Sequence, residues 1–199
     1  MTPFGDRLAA LVAERESQIV LGLDPDPARL WPGSGDDVAA HCRAVIDAAG
    51  PACVAVKPQV ACFERLGAAG WQALHETVAH ARAAGLLVLA DAKRGDIDIS
   101  AQRYAQAFLA PGGLEADALT VSPYLGADSL APFIDAARAA GAGVLRTCRT
   151  SSSRTAGASG SAARSSSTGS ARRGRTPASA KWARWWAPRR PSIWRAPAS

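Results

Sequence analysis

Short apolar runs of strand character alternate with helical stretches along the first 144 residues of this chain. Four complete runs are present and a fifth begins at Gly141; they cover residues 18–23, 53–56, 86–90 and 118–121. Apart from Gln18 and Thr120 the runs are continuously apolar, which is typical of strands that are covered on both faces. Because strand and helix alternate strictly, the pattern predicts an α/β fold with a parallel sheet and right-handed crossovers.

The helical stretches are marked by caps, breakers and apolar spacing. Thr2 and Pro3 suit the N-cap and first position of a helix whose apolar stripe runs from Phe4 to Val12. Asp36 and Asp37 can cap a second helix. This second helix and three further ones are predicted at residues 38–49, 61–84 (with an interruption at 67–70), 97–109 and 129–140.

Three charged residues follow the apolar run that ends at Ala90, in the spacing Asp91-x-Lys93-x-x-Asp96. Side chains two apart on a strand share a face, so Asp91 and Lys93 are predicted to point the same way. Gly95 then allows a turn that brings Asp96 back toward them. Charges at the mouth of a buried strand are costly to desolvate unless they are used. The spacing therefore favours a functional site over a surface ion-pair cluster.

Charged residues also end the first two predicted strands. Asp24, Lys57, Asp91 and Lys93 all lie at the C-terminal ends of three successive strands, where (β/α)8 barrels place their active sites. We therefore predict the TIM-barrel family, with about the first four and a half βα units in residues 1–144. Periodicity alone leaves an open doubly wound sheet as the alternative, although no Gly-rich phosphate loop follows the first strand.

Four segments of the chain resemble the orotidine 5'-phosphate decarboxylase family, in the subgroup typical of actinobacteria. The segment Asp91-Ala-Lys-Arg-Gly-Asp-Ile97 is similar to the family's catalytic signature. Three others agree with the family in the same order along the chain; they are residues 21–27, 54–64 and 119–130. The resemblance runs from about residue 4 to residue 144.

This resemblance implies a lyase of pyrimidine biosynthesis that converts orotidine 5'-monophosphate to uridine 5'-monophosphate and CO2, with no metal or other cofactor. The barrier is the carbanion left on the pyrimidine ring, which a fixed cation can stabilise. The resemblance implies that Lys93 is that cation and then donates the proton. It also implies that Asp91 holds Lys93 near the substrate carboxylate and that Lys57 pairs with Asp91.

The same resemblance implies further roles around the substrate. Asp24 is expected to bind ribose hydroxyls, and Ser122 to contact the pyrimidine. Asp96, Ile97 and Ser100 are expected to reach into the site of a partner subunit, so that the intact family member is a homodimer. Three of the assigned residues have plainer interpretations: Asp24 before Pro25 suits a turn, Lys57 a solvated strand end, and Ser122 an ordinary strand-end hydroxyl.

The last part of the chain departs from the barrel pattern. Residues 1–143 contain 11 basic and 17 acidic residues and carry a net charge of −6, whereas residues 144–199 contain 12 basic residues and no acid and carry +12. The basic character of the chain therefore comes from the tail. We expect residues 145–199 to form a disordered, low-complexity tail. Yet they hold four of the six tryptophans, at 182, 185, 186 and 194, a residue that disordered arms usually lack.

A frameshift would explain this tail, because GC-rich coding DNA read out of frame yields such a mixture. Tryptophan has a single codon, so the shifted frame across Trp182–Ala187 must read Gly-x-(Val/Leu/Met)-Val-Gly. That pattern is similar to a later strand motif of the family. We hypothesise a frameshift near Val144, in the gene or in the recorded sequence. The family's phosphate-binding loops would then lie beyond Ser199, and we expect the 199-residue chain to fold poorly and to be inactive.

Two other functions stay open at this stage. One is a Mg²⁺-dependent sugar-phosphate decarboxylase or aldolase of the same suprafamily, in which the Asp-x-Lys-x-x-Asp motif holds the metal. Arg94-Gly95 and the Lys57-Pro-Gln segment favour the cofactor-free enzyme over it. The other is a non-enzymatic nucleic-acid binder that uses residues 146–195, which the out-of-frame character of the tail disfavours.

The remaining signals concern compartment and metal binding. The four cysteines lie in no C-x-x-C pair and have no histidine at metal spacing, so they are expected to be reduced thiols of a cytoplasmic protein; they are Cys42, Cys53, Cys62 and Cys148. No signal peptide and no run long enough to span a membrane are apparent. The three histidines are expected on helix surfaces or in packing; they are His41, His75 and His80.

Overall fold

The computed structural model describes residues 2–147, in which five parallel strands form one sheet. The strands are β1 (Val20–Leu23), β2 (Ala55–Pro58), β3 (Leu87–Arg94), β4 (Ala118–Val121) and β5 (Gly143–Arg146). Their spatial order is the same as their sequence order, and every neighbouring pair is parallel. A doubly wound sheet reverses its strand order at a switch point, so the open-sheet alternative is wrong for this part of the chain.

Helices connect the strands at nearly all the predicted places. They are α1 (Phe4–Arg15), α2 (Val38–Ala49), α3 (Val60–Glu64), α4 (Gly67–Ala83), α5 (Asp98–Leu109) and α6 (Ala131–Ala140), with short 3-10 turns at Pro27–Arg29, Gly50–Ala52 and Asp128–Leu130. The Asp37 carboxylate caps α2 by accepting from the N–H groups of Ala39 (2.8 Å) and Ala40 (3.1 Å). The predicted cap at Thr2 is wrong, because Pro3 holds the N-cap position of α1 without a side-chain bond.

One face of the sheet packs against the helices that connect the strands. Val56, Val88 and Leu119 point to this face and are fully buried. Three phenylalanines from α3, α5 and α6 fill the space above them and are buried as well; they are Phe63, Phe108 and Phe133. This layer is the main hydrophobic core, and it forms because each strand presents alternate residues to the helices.

The opposite face of the sheet is apolar only toward the N-terminal ends of its strands. There Ala55, Leu87, Leu89 and Ala118 form a second buried cluster. Apolar residues of α1 cover this cluster; they are Phe4, Leu8, Leu11 and Val12. Further along the same face the residues become polar, because Lys57, Asp91 and Thr120 continue the alternation by two positions in β2, β3 and β4. The α1 helix thus closes one end of this face, and the polar residues occupy the other end.

Two arginines of α1 fasten it beneath the sheet. Arg7 forms an ion pair with Asp117, just before β4, and donates to the Gly141 carbonyl at 3.2 Å. Arg15 donates to the carbonyl oxygens of Cys53 at 2.6 Å and Gly85 at 3.0 Å. These contacts join α1 to the starts of four strands, which is why this helix can act as a floor for the sheet.

Several smaller predictions can be compared directly with the structure. Cys42, Cys53 and Cys62 are free thiols, while Cys148 and the proposed frameshifted tail lie outside the described residues. His80 has an unpredicted partner, because its Nε2 lies 2.6 Å from Asp47 Oδ1 on the surface. No helix in residues 2–147 has both the length and the apolar character needed to cross a membrane.

Candidate active site

A buried carboxylate, Asp91, forms the centre of the polar end of the sheet. It is 6% exposed and is the one charged residue among the buried residues in the described part of the chain. Its Oδ2 accepts a hydrogen bond from Lys57 Nζ at 2.9 Å, and its Oδ1 lies 2.7 Å from Lys93 Nζ. The structure therefore brings Lys57, Asp91 and Lys93 into an alternating array of charges, as predicted for these three residues.

Two neutral residues complete the surroundings of Asp91. The Thr120 hydroxyl donates to Asp91 Oδ1 at 2.9 Å. We assign the Gln59 amide so that its nitrogen donates to the Asp91 carbonyl (2.8 Å) and its oxygen accepts from Lys93 Nζ (3.0 Å), because this orientation pairs both polar atoms. Both carboxylate oxygens of Asp91 are consequently engaged by ammonium or hydroxyl donors.

The electrostatic balance of the array favours an ionised Asp91. Burial by itself raises the pKa of this carboxyl, but the hydrogen bonds from Lys93, Lys57 and Thr120 outweigh burial and hold the pKa below its ordinary value. A negative charge is thereby held between two ammonium groups at neutral pH. Lys93 is the more accessible of the two, with half of its side chain exposed against 22% for Lys57.

The backbone at Lys93 differs from the predicted regular strand. Lys93 has a φ of +51°, and the pairing of β3 with β4 shifts between Ala90 and Arg94, where four positions on β3 match two on β4. Lys93 contacts Asp91 from this bulge. Strand alternation predicted the correct neighbours, although the backbone at Lys93 does not follow a regular strand. Left-handed backbone at a lysine costs about 1–2 kcal/mol, and such distortions are common next to active sites.

Asp96, which the spacing predicted to turn back toward the array, makes a local hydrogen bond. Its carboxylate accepts from the N–H of Ile97 at 2.8 Å, and within residues 2–147 it forms no ion pair with Lys93. Gly95 has an ordinary negative φ, so its importance lies elsewhere: a Cβ there would lie 3.0 Å from both Cβ and the carbonyl oxygen of Ser122. Ile97 and Ser100 lie exposed at the start of α5, with Ile97 52% exposed.

The other two predicted site residues lie near the array without joining it. Asp24 is exposed directly after β1, and it is close enough to Cys62 for its charge to add to the increase that burial causes in the pKa of that thiol. Ser122 follows β4, and its N–H donates to the Arg94 carbonyl at 2.6 Å. Each stands at the C-terminal edge of the sheet, as expected from its position after a strand.

Three residues to which the sequence analysis assigned no role in the site support it. Thr120 and Gln59 contact Asp91 directly. The sequence could have indicated them, because Thr120 lies two residues before Ser122 and Gln59 lies two residues after Lys57. Arg94 forms an ion pair with Glu64 of α3, and its guanidinium carbon lies 5.3 Å from the ring centroids of both Tyr104 and Phe108 of α5. Arg94 thus anchors the segment that follows Lys93 between two helices.

Comparison with known proteins agrees with this architecture. Residues 17–180 match the family described as orotidine 5'-phosphate decarboxylase / HUMPS family, which extends 36 residues past the point where we expected the resemblance to end. The chain is 46% identical to an orotidine 5'-phosphate decarboxylase of Nocardioides over 157 residues, covering 76% of this chain and 57% of the relative. The chain is also 47% identical to the orotidine 5'-phosphate decarboxylase of Streptomyces coelicolor over 159 residues, which cover 76% of this chain and 56% of the relative.

Solved structures are similar in the same region. One is a putative orotidine 5'-phosphate decarboxylase from Streptomyces avermitilis, with a TM-score of 0.67 and 43% identity, covering 73% of this chain and 53% of that one. Another is the OMP decarboxylase of Leishmania donovani, with a TM-score of 0.60 and 38% identity, covering 73% of this chain and 53% of that one. The chain thus spans little more than half the length of the relatives it matches.

The parallel sheet in sequence order, with charged residues at its C-terminal edge, places the chain in the (β/α)8-barrel class and confirms the fold predicted from the sequence. About four and a half βα units lie within the described residues. The family match is equally clear, and the chain belongs to the orotidine 5'-phosphate decarboxylase / HUMPS family.

Proposed function

We propose that the Lys57–Asp91–Lys93 array decarboxylates orotidine 5'-monophosphate to uridine 5'-monophosphate. The observation that carries this proposal is the buried carboxylate held between two ammonium groups, 2.9 Å from Lys57 Nζ and 2.7 Å from Lys93 Nζ. Such an array presents a fixed cation beside a fixed anion, which suits a reaction that removes a carboxylate and leaves negative charge on the ring. The names of the curated relatives support the same substrate.

The proposed reaction needs one proton and no electron acceptor. The bond between C6 of the pyrimidine and its carboxylate breaks, CO2 departs, and the electron pair stays on C6. The Lys93 ammonium stabilises that carbanion and then transfers a proton from Nζ to C6, and the resulting amine regains a proton from water. Asp91 keeps Lys93 in place, and Lys57 balances the charge of Asp91 so that the array is preorganised before the substrate arrives.

The remaining predicted residues are assigned to substrate binding. We propose that Asp24 binds ribose hydroxyls and that Ser122 contacts the pyrimidine, since both stand at the same edge of the sheet as the array. Asp96, Ile97 and Ser100 lie on the segment after the Lys93 bulge, and we propose that they complete the site of a second subunit in a homodimer. The exposure of Ile97 and Ser100 agrees with contacts outside their own chain.

The metal-dependent alternative receives less support from the site. Mg²⁺ needs carboxylate oxygens with free lone pairs directed at it, whereas both oxygens of Asp91 already accept from Lys57, Lys93 and Thr120. Both curated relatives are named orotidine 5'-phosphate decarboxylase, which favours the cofactor-free reaction. Turnover that survives an excess of EDTA would agree with the cofactor-free reaction.

A hybrid barrel tests the proposed function. Residues 1–147 of this chain are joined to the C-terminal part of the Nocardioides relative, and release of ¹⁴CO₂ from carboxyl-labelled orotidine 5'-monophosphate is measured. We expect the hybrid to turn over substrate, Lys93→Ala to abolish turnover, and Arg138→Ala, which removes an exposed cation of α6, to have no effect. A folded hybrid that binds uridine 5'-monophosphate but releases no CO2 would contradict the proposal.

The 199-residue chain is assayed beside the hybrid, and we expect it to show no turnover. We further propose the division into a barrel portion at 1–144 and an out-of-frame tail at 145–199. Sequencing the DNA that encodes Gly141–Thr150 and the region downstream tests this division. A base gained or lost there supports it, and an intact reading frame contradicts it.

A further inference from the structure

We infer that Thr120 is a positioning residue, whose hydroxyl fixes both the orientation of Asp91 and the left-handed backbone at Lys93. This inference rests on the proposed function, because it assigns Thr120 a role in the array that we propose to be catalytic. Thr120 belongs to β4, a strand that contributes no charged residue to the array, and it does not reach the substrate in this role.

The first step of the argument is the pair of hydrogen bonds that the Thr120 hydroxyl makes. Its oxygen accepts the backbone N–H of Lys93 at 2.9 Å and donates its own proton to Asp91 Oδ1, also at 2.9 Å. Thr120 is only 9% exposed and Asp91 only 6%, so water competes weakly for these bonds. One buried hydroxyl therefore links the backbone of Lys93 to the side chain of Asp91.

The second step concerns the bulge at Lys93. The register shift between Ala90 and Arg94 leaves β3 with extra residues opposite β4, so ladder bonds from β4 cannot serve every N–H there. The Thr120 hydroxyl provides a protein acceptor for the Lys93 N–H in a partly buried bond, and a backbone N–H shielded from water needs such a partner. This bond holds the strained φ of +51°, and with it the point from which the Lys93 side chain departs.

The third step concerns the direction of the Asp91 carboxylate. Oδ1 is shared by Lys93 Nζ and the Thr120 hydroxyl, whereas Oδ2 accepts from Lys57. Rotation of the carboxylate would break the Thr120 bond before it broke either ion pair, because the lysine side chains can follow the rotation and a buried threonine on a strand cannot. Thr120 is thus the rigid member that sets which oxygen faces which lysine.

Two site-specific measurements on the 199-residue chain test this inference without any need for turnover. The first is the ¹³C titration of the Asp91 carboxyl, assigned by its loss in Asp91→Asn. The second is the hydrogen-exchange rate of the Lys93 amide. In Thr120→Val we expect the pKa of Asp91 to rise and Lys93 exchange to accelerate about tenfold, because one hydrogen bond is lost at each place.

Two further variants separate positioning from general stability. Thr120→Ser keeps the hydroxyl and should restore both readouts. Thr77→Val removes another buried threonine hydroxyl, which donates to the Ala73 carbonyl at 2.7 Å far from the array, and should leave both unchanged. Equal effects of Thr77→Val and Thr120→Val, or wild-type values in Thr120→Val, would overturn the inference.

The test remains decisive if Thr120→Val does not fold. In the unaltered chain the Lys93 amide must exchange more slowly than the exposed backbone amides, and rapid exchange there refutes the inference. Failure of the hybrid barrel to release CO2 would refute the proposed function while leaving these two readouts intact. The two proposals can therefore fail separately.

Discussion

Replacing Asp91 by asparagine measures the net contribution of the charge array to folding. The amide keeps the shape of the side chain and can still accept from Thr120, so the change removes mainly the charge. The Lys93 pair is half exposed and belongs with surface pairs worth about 0–1 kcal/mol. The Lys57 pair is largely buried, and loss of one partner from a fully buried pair costs about 3–5 kcal/mol. Because the Lys57 side chain keeps some exposure to water, we expect the loss of this pair to cost about 2–3 kcal/mol.

The expected total for Asp91→Asn is therefore about 2–4 kcal/mol in the free energy of unfolding. Urea denaturation at pH 7, followed by far-ultraviolet circular dichroism, measures it on the hybrid barrel, because the 199-residue chain is expected to fold poorly. A double-mutant cycle with Lys57→Met should give a coupling energy of about 1–2 kcal/mol, because methionine keeps the length of the side chain without its charge. The control is Glu76→Gln, which breaks an exposed pair with Arg43 and should cost less than about 1 kcal/mol.

One result would refute this reasoning. If Asp91→Asn were as stable as the unaltered chain, or more stable, the cost of burying the carboxylate would exceed the attraction of both lysines. The array would then be strained in the folded state, and its hydrogen bonds would not explain the lowered pKa of Asp91.

Three further predictions concern pH, packing and the Lys93 segment. The pKa of Asp91 is lowered in the folded state, so the stability that the Asp91 charge contributes is complete above its unfolded pKa of about 4 and is lost as the pH falls through its folded pKa. The difference in free energy of unfolding between the unaltered chain and Asp91→Asn should therefore shrink to zero in acid titrations. Gly70→Ala places a Cβ 1.9 Å from the Phe63 carbonyl oxygen, so it should lower the free energy of unfolding in urea by at least about 2 kcal/mol. The control Gly5→Ala meets no atom within 4 Å and should leave the free energy of unfolding unchanged or raise it by up to about 1 kcal/mol. Equal effects of the two substitutions would contradict this prediction. Arg94→Met keeps contact with the rings of α5 but loses the ion pair with Glu64, and should cost about 1–2 kcal/mol in the same assay; an unchanged midpoint would show that Arg94 does not anchor the segment.

The sequence was informative about the strands because their burial leaves a strong local signal. The run 118–121 matches β4 residue for residue. The helical stretch 61–84 is interrupted as predicted, although the break between α3 and α4 lies at residues 65–66, just before the predicted 67–70. The family signature at 91–97 identified Asp91 and Lys93 because their spacing is a local property of one segment. The helix cap at Asp37 was equally predictable, since the capping residue and the N–H groups it satisfies are neighbours in the chain.

Other features depend on contacts between distant segments and could not be predicted from local patterns. The β3 bulge arises from pairing with β4, so the left-handed backbone at Lys93 was missed. Thr120 looked like any strand threonine, since only the register of two strands places its hydroxyl against Asp91. The covering of the second face by α1 was not predicted either, because the amphipathic stripe of α1 does not reveal which surface it meets.

The sequence by itself thus determined the alternation of strands and helices, the parallel sheet and the charged residues that end its strands. These properties follow from burial and backbone preference within short segments. Only the tertiary structure decided how the charges meet. Lys57 is 34 residues from Asp91 and Thr120 is 29 residues beyond it, and their distances depend on sheet register, the bulge at Lys93 and the floor formed by α1. Hydrogen bonds act over about 3 Å, so that geometry exists only once the strands have paired.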